Sequence, residues 1–273
     1  MSLNDGQIEQ YRTDGWIAPI DVMSEEAGLE LGRQLAAAEA EYPEHLEARG
    51  RNNAHLAFPF LADLAVHPVI VSAVQSLVGA DAALSSSVIF AKDPDSTSFV
   101  SWHQDAFYMG LEPDNFVTAW VALTPSTLQS GCVTVLPGTH KIRSEHTDTF
   151  GDDNILTRGQ EVAEVDTSGQ VHLELRPGQM SLHHPWLVHG SQPNQSDYRR
   201  VGIAMQSYIG ADVRPTRGEH HVMHITGAPV APEFVETPVP TANCTAEAVA
   251  IRQAANDAFA AVLYEGAEQH RAL

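Results

Sequence analysis

Between Gly79 and Gly210 the chain is a succession of short β-rich segments divided by turn residues, and no other feature constrains its fold as much. "AALSSSVIFAK" has the pattern of a strand, "NFVTAWVALTP" and "GCVTVLPGTH" are β-rich and bounded by Pro and Gly, and "RRVGIAMQSYIG" is a further strand. "VHLELRPGQMSLHH" alternates about a Pro-Gly turn at Pro177-Gly178. Many short strands separated by turns close into a barrel or jelly roll, not a doubly wound α/β sheet. No G-x-G-x-x-G or P-loop pattern is present.

Helices are expected on both sides of this core. Asn4 or Asp5 can cap a short helix through Ile8 and Tyr11. Ser24, with Glu25 and Glu26 in the first turn, opens a longer one that carries Leu29, Leu31, Leu35 and Ala38. "HPVIVSAVQSLVG" has Pro68 near its start and Gly79 at its end. From Thr241 onward "TAEAVAIRQAANDAFAAVLYEG" keeps apolar residues at helical spacing. "FGDDNILTRGQEVAEVDTSGQ" has no clear period and is expected to leave the core as a loop, of the kind that forms lids or substrate walls. The predicted organisation is one domain over 1–273: helical support over 1–80, a core over 81–210 with an inserted loop near 141–170, and a C-terminal extension with a helix over 211–273.

Charge narrows the partners. Against 35 acidic residues there are 15 bases, of which Lys92 and Lys141 are the only lysines, and the net charge is −20. Such a surface repels phosphate backbones and anionic lipid, which argues against nucleic-acid or membrane binding and for a small-molecule partner. Cys132 and Cys244 are too few and too far apart for a disulfide framework. The polar N-terminus lacks an apolar signal region and no apolar run reaches spanning length, so the expectation is a cytoplasmic protein. The oligomeric state is left open.

A pair two residues apart, His103 and Asp105, can reach one metal ion from the same side of a strand. Spacing alone is weak evidence: His45/Glu47, His146/Asp148 and His172/Glu174 share it. With 14 His and 35 acids, chance supplies about one or two such pairs. A third ligand must decide, and "SLHHPWLVHGSQPN" offers His183, His184 and His189, on a segment that in a jelly roll can lie across the barrel from His103. A strand opening with Arg199 and Arg200 follows. An arginine on a strand neighbouring the distal histidine can clamp a carboxylate through two parallel hydrogen bonds, and strand alternation turns only one of the two inward. His146/Asp148 and His172/Glu174, with no third ligand beside them, are expected to be solvated.

Together, "WHQDAFYMG", "TAWVALTPSTLQSGCVTVLPGTHK" and "PGQMSLHHPWLVHGSQPNQSDYRRVGIAMQSY" resemble the phytanoyl-CoA dioxygenase family of iron(II)- and 2-oxoglutarate-dependent oxygenases, over about residues 85 to 209. The opening "QIEQYRTDGWIAP" resembles that family's first segment. The resemblance implies a double-stranded β-helix (a cupin-like jelly roll) with iron(II) held by His103, Asp105 and His189. It also implies 2-oxoglutarate clamped by Arg200, eleven residues after His189, and O2 as the second cosubstrate. Trp120 matches a tryptophan near the cosubstrate, although a tryptophan in an apolar strand is equally a core residue. Ser191 matches a small polar residue that helps hold 2-oxoglutarate, and Arg199 breaks the spacing.

The implied reaction is hydroxylation of an aliphatic C–H with release of succinate and CO2. Desaturation, epoxidation and cyclisation use the same oxidising chemistry. Asp105 supplies the carboxylate that related halogenases lack. A non-oxidative jelly-roll hydrolase, with zinc on two His and one carboxylate, or a small-molecule binding protein, is the alternative of another class. The expected substrate is a small polar metabolite: an amino acid derivative, an aminophosphonate, an aminoglycoside-like sugar or a natural-product intermediate. A phosphonate would need cations, for which Arg158, Arg143 and Lys92 are candidates. His55, Phe107 and Tyr108 are the candidate substrate contacts.

Overall fold

The computed structural model describes residues 2–47 and 51–271, so the two ends of the predicted 1–273 domain lie outside the described residues. In chain order the elements begin with α1 (Asp5–Asp14), β1 (Trp16–Asp21), α2 (Glu25–Glu41), α3 (Pro43–Leu46), α4 (Pro59–Ala65) and α5 (Pro68–Val78). Then come β2 (Ala82–Lys92), β3 (Val100–His103), α6 (Ala106–Met109), β4 (Leu111–Glu112), β5 (Phe116–Ala122) and β6 (Val133–Val135). The β-rich half continues with β7 (His146–Asp148), β8 (Gln160–Val162), β9 (Val171–Leu173), β10 (Gln179–His183), β11 (His189–Ser191) and β12 (Arg200–Gly210). It closes with β13 (Arg214–Pro215), β14 (His221–Thr226), β15 (Val235–Thr237) and α7 (Ala246–Leu263).

Two sheets face each other. The large one runs β1-β10-β5-β12-β2-β14-β15 and the small one β3-β11-β6-β9. The chain passes from sheet to sheet between β2 and β3, β3 and β5, β5 and β6, β9 and β10, β10 and β11, and β11 and β12. That exchange is the double-stranded β-helix. β5 is buried at every position because both of its faces are covered. On the outer face Val117, Ala119 and Val121 join α2, α4 and α5 in the main core; on the inner face Trp120 and Ala122 pack toward Val133 and Val135 of the small sheet and Leu187 just before β11.

Local signals place the helices. The Asn4 side chain accepts from the Gln7 amide while Gln7 reaches back, a reciprocal cap for α1. Ser24 caps α2 by accepting from Ala27, and Thr245 caps α7 by accepting from Ala248. No single helix among the described residues is long and apolar enough to cross a membrane.

Four expectations need correction. The first eighty residues are not only helical, because β1 pairs with β10 and extends the large sheet. Residues 211–273 likewise extend that sheet through β14, which pairs with β2. Within the 141–170 insert, β7 and β8 pair as an antiparallel ribbon, His146 opposite Val162. The Pro177-Gly178 turn exists, with Gly178 at φ 82°, but its flanking strands do not pair. β9 pairs with β6 in the small sheet and β10 with β5 and β1 in the large one, so the turn carries the chain between sheets.

Candidate metal centre

β3 and β11 are antiparallel neighbours, and their register sets His189 directly opposite His103. The two imidazoles lie with ring centroids 4.1 Å apart. His189 is therefore beside His103 in the small sheet, not across the barrel as the sequence suggested. Asp105 reaches the pair by a turn rather than by strand alternation: β3 ends at His103, and Asp105, at φ −55° and ψ −47°, starts α6.

The two histidines are held alike. His103 Nδ1 lies 2.9 Å from the carbonyl of Ser101, and His189 Nδ1 lies 2.9 Å from that of Leu187. A carbonyl can only accept, so each Nδ1 carries the proton and each Nε2 lone pair is free to ligate. Asp105 Oδ1 is 3.3 Å from His103 Nε2 and 4.0 Å from His189 Nε2. Its second oxygen accepts from the Thr118 hydroxyl at 3.3 Å. The three ligand atoms lie within 4.8 Å of one another, and all three residues are buried.

Electrostatics suit a cation. Burial pushes His189 down to about 3 and His183 down to about 4, so both stay neutral. Burial alone would raise the Asp105 carboxyl, but its close contacts with His103, His189 and His183 outweigh it and hold the group below its ordinary value. Two imidazoles and one carboxylate, with no fourth protein ligand beside them among the described residues, are the donor set of an open-sided iron(II) site.

Behind this triad a narrow chamber runs between the sheets, lined by Phe90, Trp120, His183, Ser191 and Arg200 among others. Arg200 is 1% exposed; its Nη2 donates to the carbonyl of Gly131 at 2.6 Å, and its guanidinium lies 5.1 Å from the Trp120 ring centroid. Arg200 Nε and Nη1 are buried with no hydrogen-bond partner. Buried donors without partners are costly, and a carboxylate is the group a guanidinium fork would take. The chamber therefore fits an acid such as 2-oxoglutarate on observations independent of the triad. Arg199 points away and pairs with Glu39 at 2.6 and 2.9 Å. Arg200 is on β12 of the large sheet and His189 on β11 of the small one, so the arginine faces the distal histidine across the interior rather than from a neighbouring strand.

On its other side the triad opens into a cavity of about 460 Å³. His103, Asp105, Phe90 and Gln206 line both spaces. The outer wall comes from the insert through Asn154, Ile155 and Leu156, and from α7 through Phe259 and Leu263. Of the three candidate substrate contacts only Tyr108 lines this cavity. His55, 1% exposed, is tied to Ser87 Oγ at 2.7 Å and lies outside the lining. Phe107, 40% exposed, stacks on His146 with centroids 4.3 Å apart.

His146 and Asp148 are not solvated as expected: His146 Nε2 accepts from the Gln104 amide at 2.9 Å, and Asp148 accepts from Arg158. Gln104, fully buried, turns from the triad and donates to the carbonyls of Ile142 and Trp186. The cations considered for a phosphonate are engaged elsewhere. Arg158 is bound to Asp148, Arg143 lies over Trp186 at 4.7 Å, and Lys92 donates to Ser191.

His184 stacks near Tyr11 and His140, away from the triad, whereas His183 lies 4.7 Å from His189, ring to ring. The buried Nδ1 of His183 has no partner, a placement the run of histidines did not single out. Gln206 and the α7 residues were also missed; the inward face of Gln206 follows from strand alternation with Arg200, but nothing local ties α7 to this cavity.

Comparison with known proteins agrees with this geometry. A probable phytanoyl-CoA dioxygenase of Caenorhabditis elegans is 31% identical over 157 residues, 54% of this chain and 50% of that protein. A probable alpha-ketoglutarate-dependent hypophosphite dioxygenase of Stutzerimonas stutzeri is 28% identical over 196 residues, 68% of each chain. The solved apo structure of ThoJ, a non-heme monooxygenase, superposes with a TM-score of 0.84 at 27% identity, covering 95% of this chain and 98% of that one. The chain spans about half the length of the phytanoyl-CoA dioxygenases it matches. The family model described as phytanoyl-CoA dioxygenase matches residues 11–202, a stretch that holds the small sheet, β2, β5 and β10 of the large one, the three converging ligands and Arg200. This chain belongs to the phytanoyl-CoA dioxygenase family.

Proposed function

We propose that this chain is an iron(II)- and 2-oxoglutarate-dependent dioxygenase that hydroxylates an aliphatic C–H of a small metabolite. One observation carries the reading: a two-histidine, one-carboxylate triad lines the same narrow chamber as Arg200, whose buried Nε and Nη1 have no partner among the described residues. A zinc hydrolase would have no use for that arginine.

His103, Asp105 and His189 would hold the metal, and Arg200, with Ser191 and Trp120 beside it, would hold the far carboxylate of 2-oxoglutarate. Bound there, iron(II) and 2-oxoglutarate supply the oxidising chemistry, in which O2 converts the keto acid to succinate and CO2 while the substrate is oxidised. The residues of the chain do the rest. Ser101 and Leu187 carbonyls fix both imidazoles, Thr118 fixes the second Asp105 oxygen, and the Trp120 ring keeps the guanidinium in place. Apolar side chains on three sides, Phe90, Met109 and Leu156 among them, exclude water from the face on which the substrate would lie.

A cavity of this volume suits an amino acid derivative or a natural-product intermediate. None of the cations considered for a phosphonate, Arg158, Arg143 and Lys92, lines this cavity, whereas Arg51 and Arg271 do. The chain is read as one domain, since α7 at its C-terminal end supplies part of the cavity wall.

Anaerobic addition of iron(II) and 2-oxoglutarate should produce a weak metal-to-ligand charge-transfer band in the visible, and Asp105→Ala should abolish both the band and substrate-stimulated succinate release. No band from the wild-type protein, together with tightly retained zinc, would replace this reading with the hydrolase.

A further inference from the structure

We propose that Lys92 is a positioning residue of the cosubstrate clamp: it adds a second positive charge beside Arg200 and turns the Ser191 hydroxyl into a donor toward the distal carboxylate of a 2-oxo dicarboxylic acid. This rests on the function proposed above.

In the register of β2 with β12, Lys92 stands directly opposite Arg200. Cross-strand partners point to the same face of a sheet, here the inner one. Both side chains are 1% exposed. Lys92 feels the charge of Arg200, Cys132 lies near both, and no carboxylate among the described residues acts on either. Burial and the neighbouring guanidinium pull Lys92 down to about 6, and burial pulls Arg200 down to about 10. With no anion bound the lysine is therefore largely neutral, and a carboxylate bound beside it favours its charged form next to Arg200.

The hydrogen bonds of Lys92 say how it acts. Its Nζ donates to Ser191 Oγ at 2.6 Å, to the Ser191 carbonyl at 3.3 Å and to the Gln192 carbonyl. An ammonium has three N–H groups, so none is left for a ligand. Ser191 Oγ, having accepted from Lys92, must direct its own hydrogen elsewhere, and Ser191 lines the chamber that Arg200 closes. The lysine thus sets the polarity of the serine, and its charge adds to that of Arg200 without a contact of its own.

The test compares 2-oxoglutarate with 2-oxovalerate, which keeps the keto acid end but lacks the distal carboxylate. Dissociation constants would be measured anaerobically on the iron(II)-loaded protein, by the charge-transfer band or by calorimetry. Lys92→Met and Ser191→Ala should each weaken 2-oxoglutarate by about 10- to 100-fold, and the double variant should be no weaker than the worse single one. Binding of 2-oxovalerate should change less than about twofold, since it makes no contact with the clamp. Lys92→Gln, which can donate to Ser191 but carries no charge, should fall between wild type and Lys92→Met.

Unchanged 2-oxoglutarate affinity in Lys92→Met would overturn the proposal. Equal losses for both keto acids would also overturn it, because they would show a packing role, as would multiplicative single effects. Metal affinity and cooperative unfolding report whether each variant is folded. Should Lys92→Met not fold, Ser191→Ala and Lys92→Gln decide, and the selective loss must appear in both. If the wild-type protein binds neither keto acid, the function itself fails; if it binds both and the variants match it, only the role of Lys92 fails.

Discussion

Gly202 shows how tightly the chamber is built at the level of one residue. It lies on β12 against the face of Trp120, and a Cβ there would fall 2.0 Å from Cζ2 of the indole. The ring cannot give way without releasing Arg200, whose guanidinium lies over it. Gly202→Ala should therefore cost about 1–3 kcal/mol by overpacking. It should also weaken 2-oxoglutarate binding while metal affinity holds; thermal unfolding and anaerobic titration would check both, and full 2-oxoglutarate affinity would refute the coupling. Such residue-level facts were unevenly legible. His103, Asp105, His189 and Arg200 stood out because their order along the chain is specific. The alternation that turned Arg200 inward and Arg199 outward was readable from two adjacent letters. Lys92 and His183 were not, because alternation tells which face a residue takes but not which residue it will meet there.

At the level of elements, one side chain ties the insert over 141–170 to the end of α7. The Arg158 Nε donates to Asp148 Oδ2 at 3.0 Å, its Nη2 contacts the same oxygen, and its Nη1 donates to the carbonyl of Leu263 on α7. The guanidinium also lies 4.9 Å from the centroid of Tyr108, which lines the substrate cavity. One planar group thus joins β7, the end of α7 and the segment after the metal motif, and a lysine cannot reproduce that fork. Arg158→Lys should raise amide hydrogen exchange over 146–162 and at the end of α7, with β11 and β12 still protected and 2-oxoglutarate affinity unchanged. A uniform rise across the protein, or none, would show that the brace does not hold the insert. The sequence marked this region as an excursion but hid its ribbon, because β7 and β8 are three residues each and pair across a long intervening loop. Pro177-Gly178 was readable as a turn for its local chemistry. That its strands belong to different sheets depends on contacts with β6 and β5, which no local pattern encodes.

For the molecule as a whole, the jelly roll was legible because many short strands with turns between them have few ways to bury their faces. The limits of the sheet were not, since β1 and β14 join it from segments that read as helix and extension. The charge has a consequence that also belongs to this scale. A chain with net charge −20 surrounds a chamber in which buried Arg200, with Lys92 opposite it, awaits a dianion. An approaching 2-oxoglutarate first meets the repulsive field of the whole surface and only then the attraction of Arg200 and Lys92. The two respond differently to salt: the Debye length falls from about 30 Å at 0.01 M to about 8 Å at 0.15 M, so the long-range repulsion is screened while the buried contacts are not. Association should therefore speed up with ionic strength, by about 2- to 10-fold over that range, with dissociation nearly constant. The monoanion 2-oxovalerate should show a shallower slope, because repulsion scales with ligand charge. Stopped-flow titration of the iron(II)-loaded protein would measure both rates. Association that slowed with added salt would mean that the local positive potential at the chamber, not the net charge of the molecule, governs entry.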